Sequence, residues 1–322
     1  GLGIDKITAA ALYEEMAKAD AGFFTTFAAS NLGYKPVLIA GTEEQKQWAS
    51  DILLEGGYGA FCLTEPMGGS DPACCKTTAV KDGDDYIING RKCFITNGGV
   101  ADFYIVTAMT DKTKGVKGMS MFFVEKGTPG FTFGTKENKM GICGSSTYEL
   151  IFTDCRIPKD ALLGQKGKGF GIAMHTLDGG RIGIAAQALG IAEGALDITI
   201  DYVKERKQFG RSIAQFQNTQ FVLADLATKV EAAKLLVYKA AKKKEQYQAD
   251  HKTSYSVEAA MAKLYAAEVA MEVTTKAVQL HGGYGYIREY EVERMMRDAK
   301  ITEIYEGTSE VQRMVISADL LK

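Results

Sequence analysis

The sequence predicts an α+β multidomain chain: helices, then a β domain, then a helical bundle. Three observations carry this. Residues 1–57 read as helices, and residues 58–165 break into short runs rich in Phe, Ile, Val, Tyr and Thr. From about residue 167 onward a helical period takes over and holds. This order excludes a TIM barrel and a doubly wound nucleotide fold, both of which need strands alternating with helices throughout.

The first segment (1–57) contains helices near Ala9–Lys18, Phe23–Ala29 and Thr42–Leu54, the last with a Thr42 cap and Glu43-Glu44 in its first turn. In the second (58–165), turn signals at Asp82-Gly83-Asp84, Asn89-Gly90, Asn97-Gly98-Gly99 and Thr128-Pro129-Gly130 predict antiparallel hairpins. In the third (166–322), Phe216, Leu223, Leu226, Val230, Ala233 and Val237 are spaced by threes, fours and sevens. Met261, Leu264, Met271 and Val278 repeat the behaviour, and Arg181–Arg206 is another long helix candidate.

Bulk properties narrow the function. The chain has 322 residues, 46% of them hydrophobic, enough for two or three domains. A formal net charge of -2 supplies no basic field for nucleic acid or anionic membrane. No run of consecutive apolar residues is long enough to span a bilayer. No signal peptide is expected from the opening residues. The start on a Gly1-Leu2-Gly3 turn, without Met, implies a fragment or processed product. Six cysteines, none in a C-x-x-C pair, read as reduced thiols, and three scattered histidines exclude a zinc hydrolase; no metal site is expected.

The motif with most chemical content is Ile304-Tyr305-Glu306-Gly307-Thr308-Ser309-Glu310. One helix ends before Gly307, and Thr308 or Ser309 can cap the next. A carboxylate at such a junction can act as a general base beside the N–H groups that open the second helix. The plainer alternative is a surface glutamate in a turn.

Other motifs are equally two-sided. In Phe61-Cys62-Leu63-Thr64-Glu65-Pro66-Met67-Gly68-Gly69-Ser70 a strand ends in a Gly-Gly-Ser turn, either an anion-binding nest or an ordinary loop. Period-2 spacing puts Phe94 and Thr96 on one face of a strand, an aromatic for stacking beside a hydroxyl. Asp178-Gly179-Gly180-Arg181 offers a carboxylate and a guanidinium on flexible backbone, or else a helix start. Arg206 to Gly210 and Gln279 to Gly283 read as helix ends. Neither Gly167-Lys168-Gly169-Phe170-Gly171 nor Gly283-Tyr284-Gly285 completes a dinucleotide fingerprint.

Taken together and in order, these motifs resemble the acyl-CoA dehydrogenase family over nearly the whole chain. The likeness is strongest to the short-chain (butyryl-CoA) branch, through 174–192, 259–264 and 297–313. The resemblance implies an N-terminal helical domain (incomplete here), a β-barrel-like middle domain and a C-terminal four-helix bundle, with FAD between the last two. It implies α,β-dehydrogenation of a short-chain acyl-CoA to the trans-2-enoyl-CoA. Glu306 takes the α proton, and the β hydrogen leaves as hydride to flavin N5. The Glu306 N–H, with a flavin hydroxyl, holds the thioester carbonyl.

By the same carry-over, Phe61, Leu63, Thr64, Phe94 and Thr96 meet the flavin, with Gly69 and Ser70 at its edge and Ser70 bridging towards substrate. Thr308 and Glu310 hold the adenine–pyrophosphate end. Arg206, Phe209, Gln217, Gln279 and Gly283 reach FAD across a dimer contact, which implies a homo-oligomer, a dimer of dimers. Asp178 and Arg181 meet the CoA moiety, and Tyr305, Glu306 and Gly307 lie beside the acyl group. Electrons pass to an electron-transferring flavoprotein.

Some relatives carry the base one position before the arginine; that position here is Gly180, so only Glu306 fills the role. The chain departs from the family at Met67 and Gly68, where relatives have a small or polar residue and Ala, and further helix precedes Gly1 in relatives. Phe23, Phe24 and Phe27 fall where a helix reaches the cavity floor, which favours butyryl to hexanoyl thioesters. The alternatives are an enoyl-CoA reductase or acyl-CoA oxidase on the same scaffold, or an inactive truncated flavin-binding relative. The expected compartment is bacterial cytoplasm, or mitochondrial matrix in a eukaryote.

Overall fold

The computed structural model describes residues 4–322; the Gly1-Leu2-Gly3 turn noted above lies outside them. Three helices open the chain: α1 (Lys6–Ala19), α2 (Ala21–Ala40) and α3 (Glu43–Leu54). The α3 start is a full capping box. Thr42 Oγ1 accepts from Gln45 N at 3.2 Å, and Gln45 Oε1 accepts from Thr42 N at 3.0 Å.

Seven strands follow: β1 (Gly59–Cys62), β2 (Thr78–Asp82), β3 (Asp85–Thr96), β4 (Phe103–Met109), β5 (Met119–Glu125), β6 (Phe131–Lys136) and β7 (Thr147–Ile157). Then come α4 (Gly169–Glu205), a short ribbon of β8 (Lys207–Gln208) and β9 (Arg211–Ser212), α5 (Gln217–Asp250), α6 (Ser256–His281), α7 (Val292–Lys300) and α8 (Ser309–Leu320).

The chain divides into two compact bodies. One comprises the chain up to Phe24, Met140–Ile142 and Asp178–Lys322; the other comprises Thr25–Lys139 and Cys143–Leu177. The helical opening, a single segment in sequence, is shared between them.

In the strand-bearing body, one sheet runs β1-β4-β2-β3-β7-β6, with β5 on β4. It is not wholly antiparallel. β1 pairs with β4 in parallel from Gly59↔Phe103 to Cys62↔Val106, and β2 touches β4 in parallel at Thr78↔Met109. Turn chemistry locates hairpins between neighbours, such as β2–β3 closed through Gly83-Asp84, but carries no information about a partner forty residues on. Asn89-Gly90 is not a turn. It marks a register shift within β3, where Gly90 has φ +152° and a Cβ would run into Thr77. Thr128-Pro129-Gly130 joins β5 to β6, which pair with other strands.

All seven residues of β4 are buried, because both of its faces are covered. Tyr104 and Val106 face the sheet's own core with Phe122, Phe131 and Phe152. Phe103 and Ile105 pack with Val37, Ala49 and Trp48 of α2 and α3. Such a strand reads as a continuous apolar run rather than an alternation.

The helical body has an alanine-rich core: Ala185, Ala188, Ala192 and Ala195 of α4, Ala233 and Ala240 of α5, and Ala259, Ala262, Ala266 and Ala270 of α6. Small side chains let helix axes approach closely. Length and composition would let α4 cross a membrane, yet 78% of its most apolar stretch is buried inside the protein, as befits a bundle core.

One half-buried polar cluster ties α1 to this core. Lys234 Nζ donates to Glu14 at 2.8 Å and Glu193 at 2.9 Å, and Tyr238 donates to Glu14 at 2.8 Å. The two carboxyls meet at Lys234, and a proton kept on Glu193 would let it donate to Glu14. Burial, then the Glu14 contact, push Glu193 up to about 7 despite Lys234. Its folded value lies above the unfolded one. The stability this proton carries is therefore complete below the ordinary carboxylate range and lost as pH rises through about 7. Glu193→Gln, which keeps a donor without needing the proton, should raise the melting temperature at pH 8 by a few degrees and leave it unchanged near pH 5. Equal shifts at both pH values would refute the shared proton.

Candidate active site

The hinge between α7 and α8 is built from two consecutive residues of left-handed backbone, Glu306 (φ +52°) and Gly307 (φ +94°). Glycine accepts this at no steric cost, whereas for glutamate it costs about 1–2 kcal/mol, so the surroundings must enforce it. They do so through the two carbonyls. Gln312 Nε2 donates to Gly307 O at 2.8 Å and to Glu306 O at 3.3 Å, and Lys263 Nζ donates to Gly307 O at 2.8 Å. Thr308 caps α8, its hydroxyl accepting from Val311 N at 3.3 Å.

The Glu306 side chain turns inward and its Oε2 is buried. It lies against α4 at Gly180, where any Cβ would overlap Oε2. The carboxylate is therefore a packed group and not a surface glutamate.

Asp178 and Arg181 differ from the sequence reading. They do not start a helix or sit on flexible backbone; they lie within α4, one turn apart on one face. The two glycines between them are helical; Gly180 neighbours the Glu306 carboxylate, and the Gly179 carbonyl accepts from Lys244 Nζ at 3.2 Å. Arg181 Nη1 donates to Asp178 at 2.6 Å, and Ser256 Oγ donates to the other Asp178 oxygen at 2.8 Å. Arg181 is buried, and its Nε finds no acceptor among the described residues. The Tyr305 hydroxyl donates to Gln187 on α4, whose amide donates to Ala21 O at 3.2 Å.

Lys263 is fully buried on α6. Burial pushes its ammonium down to about 8, against the pull of Glu306 and with Arg181 adding to the depression. Sequence reasoning missed both Lys263 and Gln312. The signal was available for Lys263, which sits on the same helical stripe as Ala259, Ala266 and Ala270.

In the strand-bearing body, the expected flavin-contacting residues fall on two adjoining segments. Phe61 ends in β1, and Leu63 and Thr64 follow it. Cys93 N donates to Thr64 O at 3.0 Å, which brings β3 alongside. A bulge between Lys92 and Ile95 puts Phe94 at φ +56° with its ring exposed, while Ile95 is buried and Thr96 half-buried. Beneath lies a hub that sequence reasoning did not find. Lys92, fully buried, donates to Glu65 at 2.7 Å, Thr107 at 3.0 Å and Leu63 O at 3.2 Å. Burial opposes ionisation of Glu65, yet Lys92, Cys75 and the Lys76 N–H together hold it at about 2.

The loop after Glu65 closes on itself through paired backbone bonds between Glu65 and Gly68, leaving Gly69 and Ser70 exposed beyond it. A Cβ on Gly68 would lie 2.7 Å from Cys74 Sγ, so the sulfur takes the space that an alanine would need. Met67 points outward, 83% exposed.

The remaining positions lie in the helical body. Arg206, Gln279 and Gly283 line one cleft of about 490 Å³ with Tyr202, His281 and Tyr284. The Arg206 guanidinium sits 4.9 Å over the Tyr284 ring. Gly210 is not a helix cap: Phe209 (φ +52°) and Gly210 (φ +77°) form the tight turn of the β8–β9 ribbon, with Phe209 almost wholly exposed. Gln217 opens α5, and Thr308 and Glu310 open α8; none of these lines the cleft. Of the three N-terminal rings, Phe24 is buried against Tyr13 at 5.3 Å, while Phe23 and Phe27 are exposed.

Three family models match in register along the chain: the acyl-CoA dehydrogenase N-terminal domain over residues 1–56, its middle domain over 60–155 and its C-terminal domain over 167–321. The chain belongs to the acyl-CoA dehydrogenase family. It is 59% identical over 283 residues to the short-chain specific acyl-CoA dehydrogenase of Clostridium acetobutylicum, covering 88% of this chain and 73% of that protein. It is 55% identical over 312 residues to the Megasphaera elsdenii counterpart (96% and 80%) and 54% identical over 285 residues to the acryloyl-CoA reductase (NADH) of Anaerotignum propionicum (88% and 71%).

Among solved structures, butyryl-CoA dehydrogenase from Megasphaera elsdenii superposes with a TM-score of 0.95 at 52% identity, covering 100% of this chain and 83% of that one. A chain from the structure of the electron transferring flavoprotein of Acidaminococcus fermentans superposes at 0.97 with 56% identity (100% and 84%). An FAD complex of the Bacillus anthracis acyl-CoA dehydrogenase superposes at 0.93 with 37% identity (100% and 57%).

This acyl-CoA dehydrogenase is an FAD-dependent flavoprotein, and its residues fit that cofactor. An exposed aromatic beside a hydroxyl at a strand end suits a heteroaromatic ring, and a cleft with Arg206, Gln279 and an open Gly283 backbone suits an anionic linker.

Proposed function

We propose that Glu306 is the base of a short-chain acyl-CoA dehydrogenase that converts butyryl-CoA to the trans-2-enoyl-CoA. The observation that carries the reading is the buried Glu306 Oε2 packed where Gly180 leaves room. Glu306 takes the α proton while its own backbone N–H donates to the thioester oxygen, polarising the carbonyl. Arg181, with an unused donor at Nε, and Asp178 hold the CoA side. Bound FAD supplies the acceptor for the β hydrogen, which leaves as hydride. Phe61, Leu63, Thr64, Phe94, Thr96, Gly69 and Ser70 would hold the flavin end. Arg206, Phe209, Gln217, Gln279, Gly283, Thr308 and Glu310 would hold the rest, some of them for a partner protomer's cofactor in a dimer of dimers.

An electron-transferring flavoprotein as acceptor, and a bacterial cytoplasmic setting, complete the reading. The likeness to a chain from an electron transferring flavoprotein structure and the bacterial relatives support these two points. The 54% identity to an acryloyl-CoA reductase favours one second reading, the same site run in the reducing direction.

Anaerobic titration of the yellow protein with butyryl-CoA tests the assignment. Wild type should bleach and Glu306→Gln should not; equal bleaching in both removes Glu306 from its role. Across straight-chain thioesters kcat/KM should peak at butyryl to hexanoyl, and a steady rise towards long chains would overturn the short-chain assignment.

A further inference from the structure

We infer that Lys263 is a positioning residue for the reaction, acting through the Gly307 carbonyl and through its charge beside Glu306; this rests on Glu306 being the base. An ammonium with no exposed surface is costly to bury and needs a compensating partner. Its one hydrogen-bond acceptor among the described residues is Gly307 O, at 2.8 Å. That carbonyl belongs to the second of the two left-handed residues that aim the carboxylate.

Gln312 grips the same carbonyl from α8 at 2.8 Å, so the hinge is clamped from two helices. Lys263 alone brings charge. The charges that act on it are the carboxylates of Glu306, Glu303 and Glu310 and the guanidinium of Arg181, with Glu306 the strongest of the attractive ones. The ammonium thereby sets a positive charge beside the carboxylate and fixes the backbone on which it is mounted. Without the clamp, the two left-handed residues relax towards ordinary backbone and the carboxylate swings off Gly180.

The test is anaerobic stopped-flow reduction of FAD-loaded protein by butyryl-CoA. Lys263→Met, which removes donor and charge, is compared with Lys263→Gln, which keeps a neutral donor. The limiting bleaching rate of the Met variant should fall about 10²-fold, the usual consequence of misplacing a reacting group by about an ångström. The butyryl-CoA concentration at half-maximal rate should stay unchanged, and the Gln variant should recover part of the rate.

A Met variant that bleaches at the wild-type rate, or that changes only the half-maximal concentration, overturns the inference. If the Met variant does not retain FAD, the Gln variant decides, and a wild-type limiting rate in it is equally fatal. Glu306→Gln run alongside separates the two failures. Bleaching there refutes the base itself, whereas its absence together with full bleaching in the Lys263 variants refutes only the positioning role.

Discussion

Glu306→Gln should fold, bind FAD and lose roughly 10⁴-fold in the rate of bleaching by butyryl-CoA, the upper end of what a general base contributes. The amide has nearly the volume of the carboxylate, so the space beside Gly180 stays filled. Lys263 and Gln312 hold the carbonyls of residues 306 and 307, which the substitution leaves in place. On the proposed assignment, what disappears is the lone pair that takes a proton from the α carbon. Stopped-flow absorbance under anaerobic conditions measures the loss, and thermal melting confirms that the fold is intact. A loss below tenfold with an intact fold would show that the proton goes elsewhere.

The second large effect comes from the smallest substitution. Gly180→Ala adds one methyl group where Glu306 Oε2 now sits. In a helix interior this exchange is favourable by about 0.5–1 kcal/mol, so the melting temperature should hold or rise. The atom in the way is the end of a flexible side chain, which can turn aside at little cost to the fold. Turned aside, it no longer addresses the substrate, and the bleaching rate should drop by about 10²-fold or more. Stability and activity thus move in opposite directions. A variant both as stable and as active as wild type would show that the contact between α4 and the hinge has no catalytic meaning.

Much of the molecule was legible in the sequence because the relevant signals are local. Thr42, Thr308 and the spacing of α5 announce helix starts and faces, and Glu306-Gly307 announces a hinge. Pairing over long separations was not legible. Nothing near Phe61 says that β4 will lie beside β1 in parallel, and the bulge at Phe94 depends on its partner β7. Buried charges were also hidden. Lys92 and Lys263 look like ordinary surface lysines until their neighbours are folded around them, although the stripe position of Lys263 was a clue. The arginine–aspartate pair was placed at a helix start because two adjacent glycines usually break helices. Here one of them is needed for what lies across from it, and the surrounding helix carries the cost.

The resemblance drawn from the sequence implies that some relatives mount the base one residue before the arginine, at the position that is Gly180 here. Because that position and Glu306 compete for the same volume, the scaffold has room for one carboxylate and not for two. The two arrangements are mutually exclusive tenants. A chain passing from one to the other crosses either a stage with neither acid or one in which two acids collide.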